Sequence, residues 1–339
     1  MKTELQAVVV IPHLWVQNAN AIASPMSYGF PAITAFTGAV HAIQRKLNEA
    51  GVVVGLKGVG VICHAAEPQT NRESGYVTRF NLRRDPVGVD GTSAALVEEG
   101  RMHLDVSLVI GIESGCPVSR HEQHLLAHGI AEQLRAMRLA GGSVLPHPVK
   151  VLHKPARLIE VPGGDEARTT AFRKLARSLL PGFALVGRHA LLAEHLAAMR
   201  THDSKANALD ALLDLCALHW APEPLEQSLE EGMAVTAEPA SGKTQWHATR
   251  RKPGWLVPIP VGYAAISDLY PPGVVKRTRD PNVPFRFVES VLSLGEWKSP
   301  HRLSGLDELL WRYNANPASG LYLVETVSDT AVEPAEIAV

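Results

Sequence analysis

Several sets of side chains in this sequence have types and spacings that could do chemistry. His121, His124 and His128 stand at i, i+3 and i+7, which places three imidazoles on one face of a helix. Such a face can offer metal ligands. The run HEQH is not HExxH, however, and Glu122, Gln123 and Gln133 accompany it, so a solvated helix face is the preferred reading. Ala237–Thr244, AEPASGKT, fits a relaxed phosphate-loop pattern. A working phosphate loop follows a buried strand and opens a helix, so that backbone N–H groups meet the phosphates. Here an acidic stretch precedes it and QWHATRRKPGW follows, so the sequence reads as a loop. His41, His64 and His301 carry imidazoles, a side chain that can act as general acid or base. Taken singly, each reads as a hydrogen-bonded core residue. Gly111–Gly115, GIESG, has Glu where a nucleophile elbow needs Ser, and no GxGxxG follows the first apolar run.

Three basic groups suggest other chemistry. They are Arg79/Arg83/Arg84, Arg250/Arg251/Lys252 and Lys276/Arg277/Arg279, and they lie beside Phe80, Trp255 and Pro281. Guanidinium forks match phosphate oxygens, and aromatic rings stack single-stranded bases. A plain solvated surface is the competing reading. The RLAGGS segment, Arg138–Ser143, can bring backbone N–H groups close to a phosphate, or it can simply stop a helix.

The elements that must position these groups follow from hydrophobic period. Ala7–Ile11 (AVVVI) reads as a buried strand, Phe36–Glu49 as a helix with Phe36, Val40, Ile43 and Leu47 on one face, and Val59–Cys63 as a second strand. Between the first strand and the helix lies a polar loop holding Asn18, Asn20, Ser24 and Ser27. Arg72–Gly91 reads as an extended excursion, and Met102–Ile110 as a strand that alternates before turning wholly apolar. His121–Arg138, Asp165–Leu180, His189–Met199 and Ala208–Leu218 read as helices. Ala221–Thr244 reads as a flexible loop, Trp255–Pro260 as a strand whose prolines favour an edge, and 329–339 as a fraying tail.

Bulk properties narrow the function classes. The chain has 339 residues, 46% hydrophobic content and a net charge of −1. That is enough for a sizeable core, while an independent RNA-binding domain often has a pI above about 9. Any RNA groove must therefore be local. Cys63, Cys116 and Cys216 are odd in number and widely spaced, which argues against a disulfide framework and for a reducing cytoplasm. No apolar run reaches the length of a membrane span.

The segment Gln17–Lys46, QNANAIASPMSYGFPAITAFTGAVHAIQRK, resembles the opening of one family: the subunit that caps the 5′ end of the guide RNA in the type I-F CRISPR surveillance (Csy/Cascade) complex. The resemblance returns in order at GVGVICH (Gly58–His64), VEEGRMHLDVSL (Val97–Leu108), AMRLAGGSVLP (Ala136–Pro146), LLPGFALVGR (Leu179–Arg188), LDALLDLC (Leu209–Cys216), KPGWLVPIPVGY (Lys252–Tyr263) and RFVESVLSLGEWKSPHR (Arg286–Arg302). It implies an α+β chain: an RRM-like (ferredoxin-like) body of the RAMP superfamily over 1–155 and 245–328, with a thumb-like excursion at 72–91 and a helical insertion at 165–218. It also implies a non-catalytic subunit without a cofactor. Its expected partners are the 5′ handle of the CRISPR RNA, the large subunit that reads the protospacer-adjacent motif, the repeated backbone subunit and, through the assembled complex, target DNA. The RNA lining expected on that basis is Asn18, Asn20 and Ser24, Arg45 on the following helix, Arg83 and Arg84 in the excursion, and Arg138, Gly141 and Gly142 at the turn. Arg277, Arg279 and Arg286 are expected to close the far side. The competing expectation is a metal-independent RAMP endoribonuclease acting on CRISPR repeat RNA through His41, His64 or His301.

Overall fold

A computed structural model describes residues 5–72, 77–222 and 246–327. The phosphate-loop-like Ala237–Thr244, most of the expected 221–244 loop and the expected 329–339 tail lie outside the described residues. The first third runs β1 (Ala7–Asn20), β2 (Ile22–Ser24), β3 (Ser27–Tyr28), α1 (Ile33–Glu49), β4 (Gly55–Pro68), β5 (Thr70–Arg72), β6 (Thr78–Arg84), β7 (Leu96–Glu99) and β8 (Arg101–Ser114). Next come α2 (Arg120–Arg135), β9 (Arg138–Leu139), β10 (Gly142–Leu145), β11 (Arg157–Glu160), α3 (Asp165–Ser178), β12 (Phe183–Gly187), α4 (His189–Arg200), α5 (Ala208–Cys216) and β13 (His219–Pro222). The chain closes with β14 (Trp246–Thr249), β15 (Trp255–Ala265), β16 (Val288–Lys298), α6 (Leu306–Leu309), β17 (Arg312–Asn316) and β18 (Leu321–Glu325).

One curled sheet organises these elements, in the order β17-β18-β15-β16-β12-β4-β8-β1-β10-β9, with β11 also paired to β1. Every registered pairing in it is antiparallel. The curl is pinned where Val59 of β4 and Trp311 exchange backbone hydrogen bonds of 2.9 and 3.0 Å. β8 lies between β1 and β4, so the expected strand–helix–strand opening is split by a third strand.

The fully apolar start of β1 is explained by cover on both faces. Val9 and Ile11 pack with Phe36 and Ile43 of α1 and Ile130 and Leu134 of α2. Val8 and Val10 pack with Phe172 and Leu175 of α3. The same logic explains β8. Leu104, Val106 and Leu108 enter the α1/α2 core, and Val109 meets α3 on the opposite face. Asp105 and Ser107 sit on that opposite face, further along the strand.

One sequence expectation needs correction. β1 continues through Pro12 to Asn20, so Asn18 and Asn20 belong to a strand and not to a loop. Register shifts between Ile11 and Leu14 and between Val16 and Ala19 break its alternation, which hides it from a period-2 reading. The stretch 165–218, read as a helical insertion in which helices outnumber strands, holds α3, α4 and α5 and also contributes β12, which pairs with both β4 and β16. Its short FALVG run carries no period that separates strand from helix. The proline expectation holds locally: Pro258 and Pro260 pair with β16, while β18 joins β15 only from Gly262 to Ala264.

Candidate nucleic-acid interface

The site begins with a hairpin. β9 and β10 are joined by Ala140 and Gly141, both left-handed with φ of 49° and 80°. Two such residues make the tight turn whose twist suits a two-residue hairpin. The turn is thus Ala140–Gly141, with Gly142 opening β10, and α2 has already ended at Arg135. The Asn20 N–H donates to the Ala140 carbonyl at 2.8 Å, which seats the turn on the end of β1. A Cβ at Gly142 would lie 2.7 Å from the Ala19 nitrogen and the Gln17 oxygen, so close strand approach requires glycine there. Beside this turn lies an open cleft of about 580 Å³, lined by Asn20, Ala35, Gly38, Arg101, Arg138 and Gly141. Arg138 is exposed and makes no ion pair among the described residues.

The cleft continues into a groove of about 620 Å³ that shares Asn20, Ala35 and Ala140 with it. One wall is the start of α1: Pro31, Ala32, Thr34 and Ala35. That helix has no side-chain cap and no acidic residue in its first turn, so its positive end is left uncompensated at the groove. The other wall is a pleated face. Tyr313 and Ala315 of β17, Tyr322 and Val324 of β18, and Tyr263 of β15 all line it. Alternation puts residues two apart on one face, and Tyr263 is directly opposite Tyr322 across the strands. His41 of α1 completes the wall, edge-on to Tyr313 at 6.2 Å. The result is an amphipathic trough with stacking faces, an uncompensated helix N-terminus and an unpaired guanidinium.

Residues 9–324 match the family model described as CRISPR-associated protein (Cas_Csy2). The chain is also 48% identical over 322 residues to "CRISPR-associated protein Csy2" of Pseudomonas aeruginosa (strain UCBPP-PA14), covering 94% of this chain and 95% of that one. The chain belongs to the Csy2 family. The family expected from the ordered sequence segments, a type I-F CRISPR subunit, is therefore the one found.

In this Csy2 family member the expected lining residues do not converge on one place. Asn20, Arg138, Gly141 and Gly142 meet at the hairpin. Asn20 spends one donor and one acceptor on the Ile22 backbone, at 2.7 and 3.2 Å, and keeps one of each. Asn18 (φ 58°) accepts from the Gln69 amide at 2.6 Å, just outside the cleft. Ser24 is buried and bonded to the Ser27 hydroxyl at 2.7 Å, so it is used in holding the β2–β3 turn. Arg45 is exposed on α1 and lines neither cavity. Arg286 donates to the Pro317 carbonyl at 3.0 Å and the Tyr322 hydroxyl at 3.4 Å, which places it behind the tyrosine wall. Arg277 and Arg279 are exposed on the segment between β15 and β16 and line neither cavity.

The excursion forms its own antiparallel sheet, β5-β6-β7, continuing directly from β4 and into β8. Arg83 is paired with Glu99 at 2.8 Å and with Asp85 at 3.5 Å, whereas Arg84 has no ion pair among the described residues. Phe80 is its anchor, packing on the main core and edge-on to Tyr28 at 5.8 Å. Leu82, Val87, Val89, Leu96 and Val97 are all exposed on it.

The three candidate general-base histidines lie apart. His41 is in the groove, and His301 bonds the Ser299 hydroxyl at 2.9 Å. His64 lies on the opposite face of the sheet, where burial lowers its pKa below the ordinary imidazole value. His124 and His128 stack at 6.4 Å on the exposed side of α2. Sequence reasoning missed Tyr313 and Tyr322; the signal available was their spacing with Ala315 and Val324 at two residues. Among the described residues no helix is long and apolar enough to cross a membrane.

Proposed function

We propose that this chain is a non-catalytic, cytoplasmic subunit of the type I-F surveillance complex that holds the 5′ handle of the CRISPR RNA. It pairs with the large subunit that reads the protospacer-adjacent motif, abuts the first repeated backbone subunit, and meets target DNA only through the assembled complex. Family membership supports the setting. The strand order β10/β11-β1-β8-β4, with α1 and α2 on one face, supports reading the first half as an RRM-like RAMP body.

The observation that carries the handle reading is the trough. Arg138 and the start of α1 offer phosphate contacts, and Tyr313, Tyr263 and Tyr322 offer faces for splayed bases. Neither task needs a metal or a nucleotide. Binding of the full chain to handle RNA and to scrambled RNA of equal length should be measured across a salt series. Arg138→Ala should weaken both and reduce the salt slope by roughly 0.7, the share of one phosphate contact on a single strand. Tyr313→Ala should cost about 1–3 kcal/mol, the worth of one stacked base, with the slope unchanged. Asn20→Ala should narrow the gap between handle and scramble. Wild-type affinity and slope in all three variants would place the RNA elsewhere. Cleavage of repeat RNA by the pure chain, lost in His41→Ala or His64→Ala, would favour the endoribonuclease reading instead.

A further inference from the structure

On the face of the sheet away from α1, three neighbouring strands direct ligand-type side chains at one point. The central strand, β8, supplies Asp105 and Ser107, two residues apart and both buried. The strands on either side are bulged at the same level. β1 shifts register between Ile11 and Leu14, and β4 shifts between Cys63 and Ala65. The bulged residues are His13 and His64. His13 is held at φ 49°, a left-handed conformation that its β-carbon disfavours and that calls for a compensating contact. Bulges re-aim side chains, and here they turn His13 onto the Asp105 carboxylate and His64 onto the Ser107 hydroxyl, with the two rings stacked at 4.2 Å.

Hydrogen bonds fix the proton positions. His64 Nδ1 must donate to the Pro181 carbonyl, 2.5 Å away, since a carbonyl only accepts. Its Nε2 is therefore a lone pair, met by the Ser107 hydroxyl at 2.7 Å. His13 Nδ1 lies 3.0 and 2.9 Å from the two Asp105 oxygens and shares its proton with them, and an ion held by both groups would take the place of that proton, which moves to Nε2 or to solvent. His147 accepts from the Val149 N–H on Nδ1 at 3.0 Å, so its Nε2–H donates to Asp105 at 3.3 Å. His153 in turn holds the His147 carbonyl at 2.5 Å. A ring nitrogen pinned to a backbone carbonyl, with a lone pair on its partner nitrogen, is the arrangement by which proteins orient a metal-ligating histidine, and an ion at His64 Nε2 would displace the Ser107 hydroxyl. One ligand atom each from His13, His64 and Asp105 lies within 4.8 Å of the others. Tetrahedral ligands at zinc sit roughly 3.3 Å apart for bonds of about 2.0–2.1 Å, so each need move by only about an ångström.

We propose that His13, His64 and Asp105 form a site for a divalent transition metal such as zinc, with His147 holding the carboxylate from behind. The ion would tie β1, β4 and β8 together and clamp the turn at Pro181 and the segment at 147–153. Its place is structural and separate from the trough, so the proposal does not rest on RNA binding.

The test uses the full chain, stripped with a chelator and titrated with Zn2+ by calorimetry. One ion per chain should bind, and the melting temperature should rise with Zn2+. His64→Gln, whose amide can still reach the Pro181 carbonyl, should bind at least 100-fold more weakly, whereas the double variant His124→Ala/His128→Ala on α2 should bind as wild type does. Failure of the wild-type chain to bind one ion, or wild-type binding by His64→Gln, overturns the site. Should His64→Gln fail to fold, Co2+ added to the stripped wild-type chain decides. Intense visible bands of a four- or five-coordinate ion support the site. The weak spectrum of an octahedral ion, as on an exposed histidine, overturns it.

Discussion

Glycine contributes at single positions where backbone must touch backbone. Gly142 sits under the hairpin turn, and a side chain there would meet the Ala19 nitrogen and Gln17 oxygen at 2.7 Å. Neither atom can swing aside as a side-chain tip would, so Gly142→Ala must shift the hairpin from β1. A cost of about 1–3 kcal/mol is expected, in the range for overpacking, read as a lower melting temperature. Handle affinity should fall as well, because Asn20, Arg138 and Gly141 share that seat. An alanine variant with wild-type stability and binding would mean that the hairpin tolerates a looser fit. The cysteines illustrate the opposite case. Burial pushes the Cys63 thiol up to about 12 and the Cys216 thiol up to about 11, so both behave as small apolar core groups near neutral pH.

The short helix α6 makes the clearest case at the scale of elements. Four residues cannot sustain a helix by themselves. It is held by Glu308, which accepts from the Lys298 ammonium at 2.7 Å and from the Ser304 N–H and hydroxyl at 2.7 and 2.8 Å. It is also held by Leu309, whose side chain fills the space a Cβ at Gly60 would need, and by Trp311, whose indole donates to the Leu185 carbonyl at 2.8 Å. Burial raises the Glu308 pKa, but the Lys298 and Ser304 contacts outweigh it and hold the carboxyl below its usual range. The folded pKa therefore lies below the unfolded one. Stability from this group is full above the unfolded carboxyl value, about 4.3, and is lost as pH falls through the folded value. The melting-temperature gap between wild type and Glu308→Gln should be open at neutral pH and close towards pH 3. A gap that is the same at both ends would show that Glu308 contributes nothing through its charge.

At the scale of the molecule, the excursion carries little core of its own. It exposes Leu82, Val87, Val89, Leu96 and Val97, while Phe80 packs on the body's core and Glu99 pairs with Arg101 of β8. Apolar side chains gathered on one exposed element mark an interaction surface. The chain co-expressed with the large subunit should elute with it as one species at micromolar concentration, and Leu82→Asp with Leu96→Asp should weaken that pairing or the contact with the repeated subunit. Separate elution of the wild-type proteins would sink the pairing proposal. What the sequence determined alone was whatever local period encodes: the buried start of β1 at Ala7–Ile11, the apolar face of α1, the alternating and then apolar run of β8, and the ordered segments that mark the Csy2 family. The tertiary structure decided the rest, for reasons of distance and register. The bulges at Pro12–His13 and Gln17–Asn18 interrupt the alternation of β1, so its second half could not be read as strand. The trough joins α1, β9, β15, β17 and β18, and no local pattern states that these meet. His13 and Asp105 are 92 positions apart, and His64 and Ser107 are 43 apart. Each reads as an isolated polar residue until the antiparallel packing of β4, β8 and β1 lays them side by side.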